Sequence, residues 1–314
     1  MTTFVKCIPC PWCRNFSQLE DASMDRMVGG ILVLLLGLSV AAAEQGPDKP
    51  ATPAEQYQAL AKQFQEAANT YYLKATTDED RIEPLARIVK LSPRCLELAE
   101  KNPKDPIALD ALVQVVSQEL WLHENTAHPG RGKDNLEARA IAILLRDHVR
   151  SDRLGEACRR MSYGFSKECE TFLRTVLERN PHKDVQALAC LRLAQFLNAR
   201  LQRLDLVKVR PDMARRYEGL FGKDYLAALR RRDRAEATRE VEAFFERAIE
   251  KYGDVKVPYG STVGAKAKSE LHEIRHLSVG REAQDIEGQD QDGKRFKLSD
   301  YKGKVVLLYF WSEY

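Results

Sequence analysis

The sequence predicts a mainly α-helical protein that changes to β-structure near its C-terminal end. Apolar residues recur at intervals of three and four through most of residues 51–277, which is the spacing of amphipathic helices. Beyond residue 285 the pattern alternates, and Asp292-Gly293 separates two strand-like segments. An unbroken apolar and aromatic run, residues 305–311, then follows. We therefore expect an N-terminal antiparallel helical array, followed by a β-hairpin and one buried strand.

The composition is typical of a soluble globular protein. The 314 residues suffice for about two domains, with 44% hydrophobic and 30% charged residues. The net charge of +3 is a near balance of 49 basic and 46 acidic residues, so neither nucleic acid nor an anionic membrane surface is a predicted partner. The most basic run, Arg230–Arg234, precedes Glu236 and Glu240, which favours a solvated helix end over a polyanion site.

Residues 1–43 are predicted to be a signal peptide with an upstream segment. Arg26 precedes an apolar stretch, residues 28–43, which ends in small residues suited to cleavage before Glu44. This stretch is shorter than the roughly 20 residues of a membrane-spanning helix. We expect an exported protein without an integral membrane span after signal removal, and a proline-containing linker at residues 44–50.

Three cysteines, Cys7, Cys10 and Cys13, form a Cys-x-x-Cys-x-x-Cys run that could indicate a metal or redox site. The run lies ahead of the apolar stretch of the signal, in a segment that export would remove. A second pair of ligands at zinc-ribbon spacing does not follow. We therefore predict no functional role for these cysteines.

The first helix of the array is predicted from Thr52 to about Lys74. Thr52-Pro53-Ala54-Glu55 is a capping box with proline at the first helical position. The residues expected to be buried are Tyr57, Leu60, Phe64, Ala67 and Tyr71. Further helix starts are predicted at Ser92-Pro93 and Asp105-Pro106, and breaks at Asn102-Pro103, His128-Pro129-Gly130, Asn180-Pro181 and Tyr252-Gly253.

A weak internal repeat occurs within the helical region. The Asn102-Pro103 break recurs 78 residues further along the chain as Asn180-Pro181. The spacing of apolar residues around Phe172 recurs 72 residues further along, around Phe244. Each interval is close to two units of about 34 to 40 residues, the tetratricopeptide-like range of helix-pair repeats. An ordinary helical bundle with coincidental Asn-Pro turns explains the spacing equally well. As an array, this domain would offer a surface to a protein partner.

His272-Glu273-Ile274-Arg275-His276 matches His-Glu-x-x-His, in which two imidazoles on one helix face bind zinc. A zinc hydrolase also needs a third ligand and an open coordination position. The metzincin extension fails, because Val279 and Glu282 stand where glycine and histidine are required. We therefore predict a solvated or interface-packing helix end, and no metal ligands.

Four cysteines, Cys95, Cys158, Cys169 and Cys190, would remain after export. Four cysteines allow three pairings, and a Cys158–Cys169 bridge is the plausible local one. Free cysteine is also among the most buried residue types in helices. The sequence favours buried thiols without excluding the bridge.

The C-terminal segment carries a family resemblance. Residues 285–298 predict a hairpin, and the polar turn Ser299–Lys304 includes Gly303, which can adopt positive φ. The run "KLSDYKGKVVLLYFW" follows, with Val305–Trp311 expected to be buried on both faces. In their order these motifs resemble the opening of redoxin domains of the TlpA/ResA and AhpC/TSA families. The resemblance covers about a tenth of the chain, and we place this domain fragment at residues 279–314 and the helical domain at 51–277.

The resemblance implies the start of a thioredoxin fold. In those families the buried strand leads into a Trp-x-x turn and then a Cys-x-x-Cys pair at a helix N-terminus, where the thiolate is stabilised. Trp311 matches the aromatic residue and Ser312-Glu313-Tyr314 fills the spacer, so the first cysteine is expected directly after Tyr314. No cysteine follows Cys190 in the 314 residues, so no catalytic residue is predicted in this chain.

By this resemblance, the full-length protein is expected to be a TlpA-type thiol-disulfide oxidoreductase of the bacterial periplasm or cell envelope. It would exchange electrons with disulfide-containing substrate proteins or an electron-donor protein, without a cofactor, and the 314-residue chain itself would be inactive. A peroxide-reducing peroxiredoxin is one alternative. A helical scaffold for protein interaction, with a degenerate redoxin segment, is another.

Overall fold

The structure is a computed structural model that describes residues 50–125, 135–258, 260–290 and 292–309. The predicted signal peptide with Cys7, Cys10 and Cys13, the predicted break at His128-Pro129-Gly130 and Trp311–Tyr314 lie outside these residues. The chain divides into two compact units, and the boundary between them follows Glu273. The first unit spans Lys49–Glu273, and the second includes Ile274–Tyr314.

The first unit is helical. Its α-helices are α1 Pro53–Asn69, α2 Asp78–Lys101, α3 Ile107–Asn125, α4 Leu136–Asp147, α5 Gly155–Met161, α6 Lys167–Arg179, α7 Lys183–Val209, α8 Ala214–Phe221, α9 Lys223–Arg231, α10 Arg234–Tyr252 and α11 Val263–His272. A π-helical turn, Thr70–Lys74, extends α1, and another, Glu273–Leu277, follows α11. The mainly α fold class is confirmed.

Helix α1 begins at the predicted capping box. The amide of Glu55 donates to Thr52 Oγ1 at 3.3 Å, and the amide of Thr52 donates to Glu55 Oε2 at 2.7 Å. These bonds satisfy donors that a helix start otherwise leaves without partners. Of the five predicted core residues, Leu60, Phe64 and Ala67 are buried, whereas Tyr57 and Tyr71 are only partly so.

Three predicted helix boundaries are confirmed at Asn-Pro and Asp-Pro pairs. Helices α2 and α6 end before Asn102 and Asn180. Helix α3 begins after Asp105, whose Oδ1 accepts a hydrogen bond from the Ile107 amide at 2.9 Å. Proline cannot donate a backbone hydrogen bond, which explains why these dipeptides interrupt the helices.

The predicted helix start at Ser92-Pro93 is wrong, because α2 runs through it and contains both Pro84 and Pro93. A proline inside a helix removes one hydrogen bond and is unfavourable by about 3 kcal/mol. Apolar residues of α2 on both sides of Pro93, among them Ile88, Leu91, Cys95 and Leu96, are buried. Their burial requires a continuous helix, and this tertiary packing outweighs the local signal.

Consecutive helices of the first unit pack against one another. The pairs α1–α2, α2–α3, α3–α4 and α6–α7 are in contact, and α7 also contacts α5 and α10. Ser92 Oγ donates to Gln118 Oε1 at 2.9 Å across the α2–α3 contact, and both side chains are buried. These residues lie at similar distances from the short α2–α3 connection, so the two helices run antiparallel, as expected of a helical array.

A short β-pair that the sequence pattern does not indicate lies between α10 and α11. Its strands are β1 Lys256–Val257 and β2 Ser261–Thr262, which pair antiparallel. The predicted break at Tyr252-Gly253 is confirmed, because α10 ends there. A β-carbon on Gly264 would lie 2.8 Å from Gly253 Cα, so only glycine allows these two backbones to approach so closely.

The second unit contains an antiparallel pair, β3 Glu287–Gln289 with β4 Arg295–Lys297, and a 3₁₀ turn, Leu298–Tyr301. The predicted hairpin at 285–298 is therefore confirmed as the start of an incomplete sheet. The predicted burial of residues 305–311 on both faces is wrong for the described part, 305–309. These residues pair with no described strand and are exposed. A strand can be buried on both faces only if neighbouring elements cover it.

Candidate functional site

The hairpin of the redoxin-like segment closes through a three-residue loop, whereas the Asp-Gly signal predicts two residues. The Asp290 amide donates to the Lys294 carbonyl at 2.9 Å, and the Gly293 amide donates to the Asp290 carbonyl at 3.0 Å. Gly293 has φ of 78°, the left-handed conformation that such a loop requires at its third residue. Asp290 Oδ1 also accepts from the amides of Asp292 and Lys294, which fixes the turn.

Asp285 ties the start of the hairpin to the 3₁₀ turn that follows it. The Ser299 amide donates to Asp285 Oδ1 at 2.8 Å and Ser299 Oγ donates to Oδ2 at 2.7 Å. These bonds lower the pKa of the Asp285 carboxyl, because they favour its ionised form. Asp300 Oδ2 similarly accepts from the Lys297 amide at 2.9 Å. The polar residues before the apolar run therefore form a defined turn.

The apolar run itself is exposed where the structure describes it. Val305 and Leu307 have relative exposures of 104% and 91%, and Tyr309 is also exposed. Gly303 lies in the turn before this run and has φ of 85°, the positive φ that the sequence allows there. Trp311 and the expected position of a first cysteine, after Tyr314, lie outside the described residues. The described part of this segment therefore contains no cysteine thiol.

The four cysteines of the helical unit are free and buried, and Cys158 and Cys169 are not paired. Burial raises the pKa of Cys95 and Cys158 to about 12 and that of Cys190 to about 11. A thiol with so high a pKa is protonated at neutral pH and is a poor nucleophile. The interpretation of these residues as buried thiols is confirmed.

Cys169 lies in a buried polar cluster that the sequence analysis missed. Ser166 Oγ donates to Glu137 Oε1 at 2.6 Å, and the Cys169 thiol is 3.2 Å from the same oxygen. His123 Nδ1 is 3.5 Å from Glu137 Oε2. Burial, and then the Glu137 charge, raise the pKa of Cys169 well above its ordinary value. Although cysteine, histidine and carboxylate meet here, the cluster stabilises a protonated thiol and so does not activate it.

A second missed cluster surrounds the buried side chain of Arg200. Arg200 Nε donates to the Tyr225 hydroxyl at 3.0 Å, and that hydroxyl donates to Glu170 Oε2 at 2.5 Å. Nη1 and Nη2 of Arg200 donate to the carbonyls of Phe196 and Ser166. Burial lowers the pKa of Arg200 to about 10, so the guanidinium is still charged at neutral pH. No periodicity signals such a residue, because the Tyr225 hydroxyl and the Ser166 carbonyl lie 25 and 34 residues away along the chain.

The His-Glu-x-x-His motif crosses from α11 into the π-helical turn, where His276 is exposed. Within the described residues, no group of three or more histidine, cysteine, aspartate or glutamate side chains could hold a metal ion. The basic run Arg230–Arg234 is exposed at the junction of α9 and α10. Arg232 and Arg234 form ion pairs with Glu240 and Asp205, at 2.6 and 2.5 Å.

Comparison with known proteins identifies a relationship for the C-terminal segment. Residues 279–314 match the AhpC/TSA family. The matched residues include the hairpin, the Asp285–Ser299 turn and the exposed apolar run, so this segment is similar to part of a redoxin domain. No curated protein and no solved structure matches the chain.

None of the helices in the described part of the chain combines the length and the apolar character needed to cross a bilayer.

Proposed function

We propose that this chain is part of an exported, two-part thiol-disulfide oxidoreductase of the TlpA type. The observation that carries the proposal is the AhpC/TSA match over residues 279–314, where hairpin, polar turn and apolar run occur in the order found at the start of a redoxin domain. The family match indicates redox activity in general. The Trp311-x-x spacer favours disulfide exchange through a cysteine pair placed after Tyr314.

The helical unit supports this assignment by its lack of reactive thiols. Its four cysteines are buried and have raised pKa values, so they would compete poorly for a protein disulfide. A thiolate at a helix N-terminus, by contrast, has a pKa of about 7 or lower. We assign electron transfer to the redoxin domain and the binding of a partner protein to the helical array.

The decisive experiment begins with the coding sequence beyond residue 314. A Cys-x-x-Cys pair directly after Tyr314 supports the oxidoreductase, and the purified longer protein should then reduce insulin disulfides. Replacing either cysteine of the pair with serine should abolish turnover. Replacing Cys95 or Cys190 with alanine is the matched control and should preserve it. If replacing Cys95 or Cys190 abolished turnover while replacing the cysteines of the pair did not, the active site would lie in the helical unit.

The same experiment tests a peroxiredoxin, which the AhpC/TSA match keeps as a second candidate. A single cysteine in a Pro-x-x-x-Thr-x-x-Cys setting, with consumption of hydrogen peroxide but not of insulin disulfides, would favour the peroxidase. Absence of any cysteine there would favour the scaffold function. The 314-residue chain should show neither activity above the reactivity of its incidental thiols.

Export is a separate part of the proposal and has its own test. The gene is expressed with its native N-terminus in a Gram-negative host, and the periplasmic protein is sequenced from its first residue. The mature protein should begin at Glu44. Retention in the cytoplasm with residues 28–43 intact would contradict export.

A further inference from the structure

A groove in the helical unit lies among the C-terminal half of α7, the end of α9 and the start of α10. Its volume is about 410 Å³, within the range of about 300 to 1,000 Å³ that is usual for small-molecule sites. The aliphatic side chains that line it are those of Leu197, Leu201, Leu204, Val207, Leu229, Ala237 and Val241. Leu197, Leu201 and Leu204 recur at helical spacing, so α7 presents one apolar stripe to the groove.

The charged side chains of the groove are mostly cationic. Arg200, Lys208, Arg230, Arg232 and Arg234 line it, together with two carboxylates, Asp205 and Glu240. Both carboxylates are already engaged. Asp205 is paired with Lys208 at 3.2 Å and with Arg234 at 2.5 Å, and Glu240 with Arg232 and Arg174, both at 2.6 Å.

These pairs leave donors available on the guanidinium groups. An arginine side chain has five N–H donors. In the described structure the ion pairs of Arg232 and Arg234 each use Nη2, and Arg230 makes no ion pair with a described residue. Three neighbouring arginines beside an aliphatic floor match the shape and charge of a ligand with one anionic end.

We propose that this groove binds an amphiphilic anion. The aliphatic part of the ligand lies on the leucine stripe of α7 and on Leu229 and Val241. Its carboxylate or phosphate accepts hydrogen bonds from Arg230, Arg232 and Arg234. The proposal does not depend on the redox function of the C-terminal segment, because every residue of the groove lies in the helical unit.

The test is calorimetric titration of the full 314-residue chain with dodecanoate and dodecyl phosphate below their micellar concentrations. Saturable 1:1 binding of at least one is expected, with affinity that falls as salt is raised. Butyrate and inorganic phosphate lack the aliphatic part, and dodecanol lacks the charge, so each should bind at least about tenfold more weakly. The difference between dodecanoate and dodecyl phosphate shows which head group the arginines prefer.

Variants locate the binding. The double substitution Arg230→Gln with Arg234→Gln should weaken dodecanoate binding about tenfold or more, because charge-assisted hydrogen bonds are lost. Leu201→Gln should weaken dodecanoate and dodecanol alike. Arg239→Gln, on the exposed face of α10, is the matched control and should not change affinity. Circular dichroism melting confirms that each variant is folded.

Two outcomes would overturn the proposal. The first is dodecanoate binding that is unsaturable, or equal in wild type and the double variant. The second is a failure of both dodecanoate and dodecyl phosphate to bind. Tight binding of an acidic amphipathic peptide of glutamate and leucine in that case would identify the groove as a protein-docking surface.

Discussion

The thiol of Cys169 occupies the space in which a side chain on Gly164 would stand. Gly164 is buried between α5 and α6, so the neighbouring atoms have little room to move. A β-carbon at this position would also lie 3.2 Å from the Met161 carbonyl oxygen. This contact links a turn glycine to the buried cluster around Glu137.

Gly164→Ala is therefore expected to lower the free energy of unfolding by about 1 to 3 kcal/mol, the usual effect of overpacking. Chemical denaturation measures the change. Gly219→Ala is the matched control, because nothing lies within 4 Å of a β-carbon there and alanine favours helix α8. In a Cys169→Ala background the substitution should be less destabilising, and an unchanged effect would show that the thiol is not the obstacle.

The Tyr225 hydroxyl joins the Arg200 guanidinium to the Glu170 carboxylate. Tyr225→Phe should lower the free energy of unfolding by about 1 to 3 kcal/mol, because the buried Nε of Arg200 then loses its partner. Tyr163→Phe serves as the control, since Tyr163 is exposed and should change stability by less than about 0.5 kcal/mol. Equal effects of the two substitutions would show that this network contributes nothing to stability.

Burial raises the pKa of Glu270 above its ordinary value of 4.5, although Gln195 Nε2 donates to its Oε1 at 2.5 Å. A raised pKa means that the protonated carboxyl is favoured in the folded state. The stability it contributes is present below pH 4.5 and is lost as pH rises through the folded pKa.

The free energy of unfolding of the Glu270→Gln variant is consequently expected to rise relative to that of wild type as pH increases above 4.5. The difference between the two proteins should level off above the pKa of Glu270 in the folded state. Denaturation midpoints between pH 4 and 8 measure this difference. Glu250→Gln, at an exposed position of α10, is the control. A difference between Glu270→Gln and wild type that is constant with pH would contradict the assignment.

The buried thiols predict slow chemical modification. At pH 8, iodoacetamide should label Cys95, Cys158, Cys169 and Cys190 slowly in the native protein and rapidly after denaturation, because each thiol is protonated and inaccessible. Peptide mass mapping identifies each site, and an introduced Arg239→Cys provides an exposed thiol for comparison. A linked peptide containing Cys158 and Cys169 after non-reducing digestion would contradict their description as free.

The helical unit is predicted to fold without the redoxin-like segment. Its apolar side chains from α1 to α11 form their own core, and about two hundred residues are ample for an independent domain. A protein comprising residues 50–277 should show the helicity of the longer chain and melt cooperatively. An unfolded product would show that the division into two domains is wrong.

Local signals predicted much of this fold because they act within a few residues. The capping box of Thr52 and Glu55 satisfies backbone donors three residues apart, and the prolines after Asn102 and Asn180 follow directly where α2 and α6 end. The turn around Gly293 depends likewise on one residue that can adopt positive φ. The redoxin resemblance is also local, since it rests on the order of residues in one short segment.

The same kind of signal failed where packing decided the outcome. Pro93 suggested a helix start, yet the burial of Cys95 and Leu96 keeps α2 continuous through it. The apolar run after Gly303 suggested a buried strand, but burial depends on elements that cover both faces. Periodicity describes what a segment could bury, and its neighbours in space determine whether it does so.

The sequence by itself determined the helical class, the hairpin, several helix ends and the similarity of residues 279–314 to redoxin domains, because each depends on neighbours along the chain. Only the tertiary structure placed Cys169 beside Glu137, enclosed Arg200 with Tyr225, and brought the arginines at the junction of α9 and α10 to the leucine stripe of α7. These contacts join residues 25 or more positions apart, and their energies arise from burial and charge in a shared environment that no single segment contains.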